Sequence, residues 1–217
     1  MSLLLSFINA ILHLDKYLAV IVVNYGILTY ALIFLIIFIE TGLVLMPFLP
    51  GDSLLFAAGS LAANSSLNLI ILLVSLSLAA VLGDSFNYFL GRRFGEQLFV
   101  QNRWYHPEYV AKTQRFYEKY GSKTIVLARF VPIVRTFAPF VAGIGKMSYG
   151  SFLYYNLIGG LAWVFLFILG GYFLGNLALV KENFSLFILL IIFLSFIPVI
   201  IELVKHFRRK SYHQKQV

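Results

Sequence analysis

The chain has 217 residues, 60% of them hydrophobic, 17% aromatic and only 12% charged, with a mean hydropathy of +0.88. A soluble domain is about 45–50% apolar and about 25% charged, so these figures exclude a soluble globule and a disordered or collagen-like chain and predict a membrane protein. There is no cysteine, which also removes disulfide scaffolds, thiolate metal sites and cysteine nucleophiles.

In chain order, Met1 to Tyr25 is apolar but interrupted by His13, Asp15 and Lys16. It lacks the basic start and small-residue cleavage site of a signal peptide and is expected to be retained. Residues 27–63 form a long apolar stretch broken by Glu40 and by the turn Met46-Pro47-Phe48-Leu49-Pro50-Gly51-Asp52. Residues 66–91 read as a spanning helix ending at Arg92-Arg93, and residues 92–123 as a polar loop with an amphipathic helix near 107–120. Residues 124–146 are apolar again, yet hold Arg129, Arg135, Pro132 and Pro139. Residues 148–175 and 184–204 are clean spans, longer than the roughly 20 residues a bilayer requires, joined by a short connection and followed by a basic tail, 205–217. One membrane domain covers the whole of residues 1–217.

Proline removes a backbone donor and clashes with the preceding turn, so Pro47 with Pro50 and Pro132 with Pro139 should break any helix there. A leg of about 10 residues rises only about 15 Å, half the hydrocarbon thickness. Both stretches are therefore expected to be re-entrant hairpins inside an all-α polytopic bundle, with a kinked spanning helix as the alternative.

The formal charge is +8, and position decides its meaning: seven of the 17 Lys and Arg fall between Arg92 and Lys123 and five between Lys205 and Lys215. Cations beside apolar runs follow the positive-inside rule and suit anionic headgroups, not nucleic acid. Both termini are then cytoplasmic and the hairpins enter from opposite faces. A weak repeat agrees: Tyr25-Gly26 and Tyr120-Gly121 precede the hairpins, and Pro47 with Ala58-Gly59 parallels Pro132 with Ala142-Gly143. Inverted repeats with broken helices mark many secondary transporters.

A charge at mid-bilayer costs about 2.5–3.5 kcal/mol on insertion scales, so Glu40, Asp52, Arg129 and Arg135 must be paired, hydrated or used. One reading is two buried ion pairs that pin the hairpins together. The other gives Arg129 and Arg135 an anionic headgroup to bind, and Glu40 and Asp52 the uptake and release of protons. Asp52 also suits the start of the second leg of its hairpin. Asp84, about two turns inside Arg92, and Lys146, near the second hairpin's exit, are secondary candidates. All four histidines (His13, His106, His206, His213) fall outside the hairpins, and no metal-ligand spacing or phosphate loop is present, so neither an enzyme, a metal site nor a cofactor is expected.

Glu40-Thr41-Gly42, Pro47-Phe48-Leu49-Pro50-Gly51-Asp52, Gly83-Asp84 with Asn87-Tyr88 and Gly91-Arg92, Phe116-Tyr117-Glu118, and Arg129-Phe130-Val131-Pro132-Ile133-Val134-Arg135 resemble the DedA family of bacterial inner-membrane proteins, relatives of the VTT-domain lipid scramblases. The resemblance runs nearly end to end. It implies facing hairpins, coupling to protons or membrane potential, and movement of polyprenyl phosphate, such as undecaprenyl phosphate, toward the cytoplasmic leaflet. It also matches that family's essential acids to Glu40 and Asp52 and its essential arginines to Arg129 and Arg135. The alternatives are a non-transporting scaffold for envelope assembly and a proton-coupled exporter of small cations or drugs. A homo-oligomer is left open.

Overall fold

A computed structural model describes residues 14–43, 51–64, 66–100, 121–130, 132–175, 177–191 and 193. Its regular elements are helical: α1 (Leu14–Tyr25), α2 (Leu28–Gly42), α3 (Gly51–Ala63), α4 (Leu69–Val100), a 3₁₀ turn (Gly121–Lys123), α5 (Thr124–Ala128), α6 (Pro132–Ile144), α7 (Tyr149–Leu174) and α8 (Ala178–Glu182). A further helical stretch covers 184–191. The expected turn prolines Pro47 and Pro50, the amphipathic helix near 107–120 and the basic tail lie outside the described residues.

Among the described residues two helices are long and apolar enough to cross a bilayer, Leu69–Gly95 within α4 and Tyr149–Leu174. The former corrects the expectation that the span ends at Arg92-Arg93, since α4 continues through both arginines to Val100. Arg92 reaches back one turn, its Nη1 donating to Tyr88 Oη at 2.9 Å. The residues between the last two spans also depart from expectation: part of them is helical, as α8.

By contrast α2, α3 and α6 have 15, 13 and 13 residues. At 1.5 Å per residue each rises about 20 Å, short of a hydrocarbon layer of about 30 Å. Chain chemistry accounts for the breaks. Gly51 opens α3, where a Cβ would overlap the Glu40 carboxylate. Helix α5 ends at Ala128, with Arg129 and Phe130 in a turn, and Pro132 takes the first position of α6, where its missing N–H costs nothing. Pro139 does not break the chain as expected; it sits inside α6. Beside it, Asn87 Nδ2 of the long helix donates to the Thr136 carbonyl at 2.7 Å and ties α6 to α4 at this turn.

Beside the α2–α4 contact, α3 lies along α7 and α6 along α4. Glycine sets both distances. A Cβ at Gly59 would strike the Ile168 carbonyl, and one at Gly171 the Phe56 carbonyl. In the other pair, Gly143 meets the Tyr88 carbonyl and Gly91 the Phe140 carbonyl. Both crossings are antiparallel, and in both a phenylalanine and the glycine three residues on face a carbonyl and the glycine three residues on. Without a Cβ the backbones approach closely, which is the main source of helix attraction where lipid replaces water.

Large apolar side chains face outward, among them Ile70, Val74, Leu78, Leu82, Phe86 and Phe89 of α4 and Leu157, Leu161, Phe165 and Phe173 of α7. Glu40, Asp84, Asn87, Arg129, Arg135 and Asn156 are buried instead, so the polarity of a soluble protein is inverted around them. Gly59→Ala and Gly143→Ala should each lower the apparent melting temperature of the detergent-purified protein, at a cost of about 1–3 kcal/mol for overpacking. Gly150, which has nothing within 4 Å of a Cβ, serves as the control: Gly150→Ala should leave it unchanged or raise it.

Candidate functional site

Glu40 lies in the last turn of α2 and Asp52 in the first turn of α3; Arg129 occupies the break after α5, and Arg135 is one turn into α6. The four breaks and helix ends meet. Arg135 Nη1 donates to Asp52 Oδ1 at 2.6 Å, and its Nη2 pairs with Glu40 Oε1. Helix dipoles explain why this pairing is favoured: a carboxylate at the C-terminal end of α2 and a guanidinium near the N-terminal end of α6 are each disfavoured by their own helix and relieved by the other. Asp52, at an N-terminus, gains from its helix as well.

Arg129 pairs differently from the expectation that both arginines face the two hairpin acids. Its Nη2 meets Asp84 Oδ2 of α4 and donates to Asn156 Oδ1 of α7 at 2.7 Å. Asn156 completes its amide through Nδ2 to the Val81 carbonyl at 3.0 Å. The guanidinium fits because Gly159 and Gly160 leave room: a Cβ on Gly160 would come within 3.3 Å of Arg129 Nη1. The two arginines share a floor, with Arg135 Cζ 4.7 Å and Arg129 Cζ 5.7 Å from the Trp163 ring centroid. Trp163 Nε1 in turn donates to Asp52 Oδ1 at 2.8 Å.

Residues 49–173 match the VTT domain. The chain is 52% identical over 212 residues to protein DedA of Escherichia coli (strain K12), covering 96% of this chain and 97% of that one. It belongs to the DedA family. It is also 46% identical over 182 residues to an uncharacterized membrane protein of Mycobacterium tuberculosis, covering 82% and 80% of the two chains. Inner membrane protein YqjA of Escherichia coli (strain K12) is 35% identical over 149 residues, 68% of each chain. No solved structure matches. DedA-family membership and the outward apolar faces together make this a membrane protein.

In this DedA-family chain the side chains of the site are almost wholly buried: Arg129 is 2% exposed, Arg135 6% and Glu40 1%. The Asp52 side chain keeps 14% exposure, the most of the three acids. Asp84 is not the near-surface group that its distance from Arg92 suggests. Because α4 runs past the arginines, Asp84 falls near the middle of the Leu69–Gly95 span, where snorkelling is out of reach. Lys146 lies apart from the cluster, exposed and in a left-handed conformation (φ 53°), in the turn that ends α6. Met147 N–H bonds the Ala142 carbonyl across that turn at 3.1 Å, the usual way such a helix end is closed.

Sequence reasoning missed Asn156 and Trp163. Both sit in a stretch that reads as a clean span, yet Asn156, Gly159, Gly160 and Trp163 fall at helical spacing on one face, and membrane tryptophans ordinarily gather at the interface instead. Asn87 was also passed over as a bridge: besides Thr136 it donates to the Thr41 carbonyl at 3.1 Å, tying α2 to α6 through α4.

Breaking a buried pair leaves an uncompensated charge, costing about 3–5 kcal/mol, whereas replacing both partners by apolar groups is close to neutral. Asp84→Leu or Arg129→Met alone should therefore depress thermal stability strongly, and the double variant should recover most of the loss. Melting curves of the three purified variants check this.

Proposed function

We propose that the protein carries an anionic lipid of the polyprenyl phosphate type, such as undecaprenyl phosphate, toward the cytoplasmic leaflet, with Arg129 and Arg135 as headgroup ligands. The observation that carries the reading is a pair of buried guanidiniums at the breaks of two helix pairs, with donors to spare. Arg129 Nε and Nη1 and Arg135 Nε have no acceptor among the described residues. A guanidinium keeps its charge in an apolar setting and matches a phosphate through two parallel bonds, whereas a lysine offers a point charge.

Three carboxylates, Glu40, Asp52 and Asp84, face two guanidiniums. Fully ionised, the cluster is one unit negative and would repel a further anion. Proton uptake by Glu40 or Asp52 removes that charge and releases Arg135 for the headgroup. Such an exchange drives transport when proton and lipid bind the two access states with different affinity. The prenyl chain stays in the bilayer against the outward apolar faces, and no covalent bond is made or broken. The matched glycine crossings support two hairpins, α2–α3 and α5–α6, entering from opposite faces as an inverted repeat around a central site.

An architectural role for the same ion pairs draws support from their completeness, since each of the three acids meets an arginine. The two readings separate in proteoliposomes loaded with a fluorescent polyprenyl phosphate, assayed with and without a pH gradient. Arg129→Lys and Arg135→Lys preserve charge for the acids, so each should keep its fold while the flip rate falls about tenfold or more through loss of the fork. Full rates in both lysine variants, or no lipid movement by the unaltered protein, would overturn the transport reading. Glu40→Gln is neutral at every pH, so its rate should lose the rise with acidification expected when protonation frees Arg135; an unchanged pH profile would remove Glu40 from the proton step.

A further inference from the structure

Trp163 has no part in the roles above, yet it contacts Asp52 and both arginines. It lies within α7, 1% exposed, one of two tryptophans in the chain. A buried indole N–H needs an acceptor, and here it shares one: Asp52 Oδ1 accepts from Trp163 Nε1 at 2.8 Å and from Arg135 Nη1 at 2.6 Å. Meanwhile the ring lies beneath both guanidiniums.

Resting on the assignment of Arg135 to the headgroup, we propose that Trp163 is the positioning residue for its exchange. The indole N–H keeps Asp52 bonded while Arg135 turns from carboxylate to phosphate, and the ring face is the surface on which the guanidinium turns. A carboxylate that gives up its arginine in a largely buried site gives up a charged donor, which is costly. The indole fills that need and does nothing else: it is uncharged, it only donates, and so it never competes with the headgroup for Arg135. The ring quadrupole attracts a guanidinium anywhere over its face within about 6 Å, so the ring offers Arg135 a surface to stay on through the turn. Arg129 is the fixed partner by comparison. Its Nη2 is shared by Asp84 and Asn156, and it is packed on the Gly159-Gly160 backbone. Arg135, bonded to two acids on two different short helices, is the one that moves.

Proteoliposomes of phosphatidylcholine containing phytanyl phosphate test this with the full-length protein. Trp163→Phe keeps a ring and loses the N–H. Its flip rate at saturation should fall about tenfold, the worth of a hydrogen bond to a charged group, with the half-saturating lipid concentration and the melting temperature little changed. Trp163→Leu, which also loses the ring, should in addition raise the half-saturating concentration. In Trp104→Phe protein the emission of Trp163 is read alone, and saturating phytanyl phosphate should shift it as the guanidinium leaves Asp52. Wild-type kinetics in Trp163→Phe, or a fall explained wholly by lost melting temperature, would overturn the assignment of Trp163 and leave the headgroup reading standing. Unaltered protein that neither moves phytanyl phosphate nor shifts its Trp163 emission would overturn both.

Discussion

Arg135 is held by two carboxylates that arrive from two different short helices, Glu40 from the end of α2 and Asp52 from the start of α3. Removing three ionic groups from water costs several kcal/mol apiece, and their mutual attraction offsets that only where geometry is good and little charge is left over. Much of the architecture serves this condition. The chain must break twice to deliver charges from helix ends, the breaks must be wrapped in protein because lipid offers no hydrogen bonds, and the long helices must come near enough to do the wrapping. Arg129 repeats the condition with a different partner set, Asp84 and Asn156, both drawn from the long helices.

The wrapping is achieved by backbone contact. Among apolar side chains, lipid and protein compete on equal terms, so the bundle gains most where helices close upon one another without intervening side chains. The crossings at Gly59 with Gly171 and at Gly91 with Gly143 do this. Amide side chains complete the enclosure. Asn87 and Asn156 each bond a carbonyl on another element, which keeps buried peptide groups satisfied near the breaks.

Much of this was legible in the sequence because the underlying rule is harsh. Charges and prolines inside long apolar runs are rare and expensive, so Glu40, Asp52, Arg129 and Arg135 stand out, as do the breaks near Gly51 and Pro132. What could not be read depended on neighbours. Asp84 was underrated because its depth was counted from Arg92-Arg93, whereas α4 continues to Val100. Pro139 reads as a breaker, yet it sits inside α6, because a membrane helix packed against its neighbours tolerates proline. Asn156 and Trp163 carry no charge, and within a run of apolar residues their shared face shows only when the helix is drawn with its true period. The pairing of Arg129 with a long helix instead of a hairpin is a three-dimensional fact with no local trace.

The backbone-to-backbone crossings carry a wider implication. Spacing between α3 and α7, and between α6 and α4, is fixed by main-chain atoms at glycine, while side chains such as Leu78, Leu82, Leu161 and Phe165 point outward from the bundle. A lineage can therefore retune its outer coat to thicker, thinner or more fluid bilayers by swapping one oily residue for another, and the ångström-scale placement of the guanidiniums is carried along untouched. Adaptation to the surrounding lipid and fidelity of the charged centre are, in this molecule, written in separate sets of atoms.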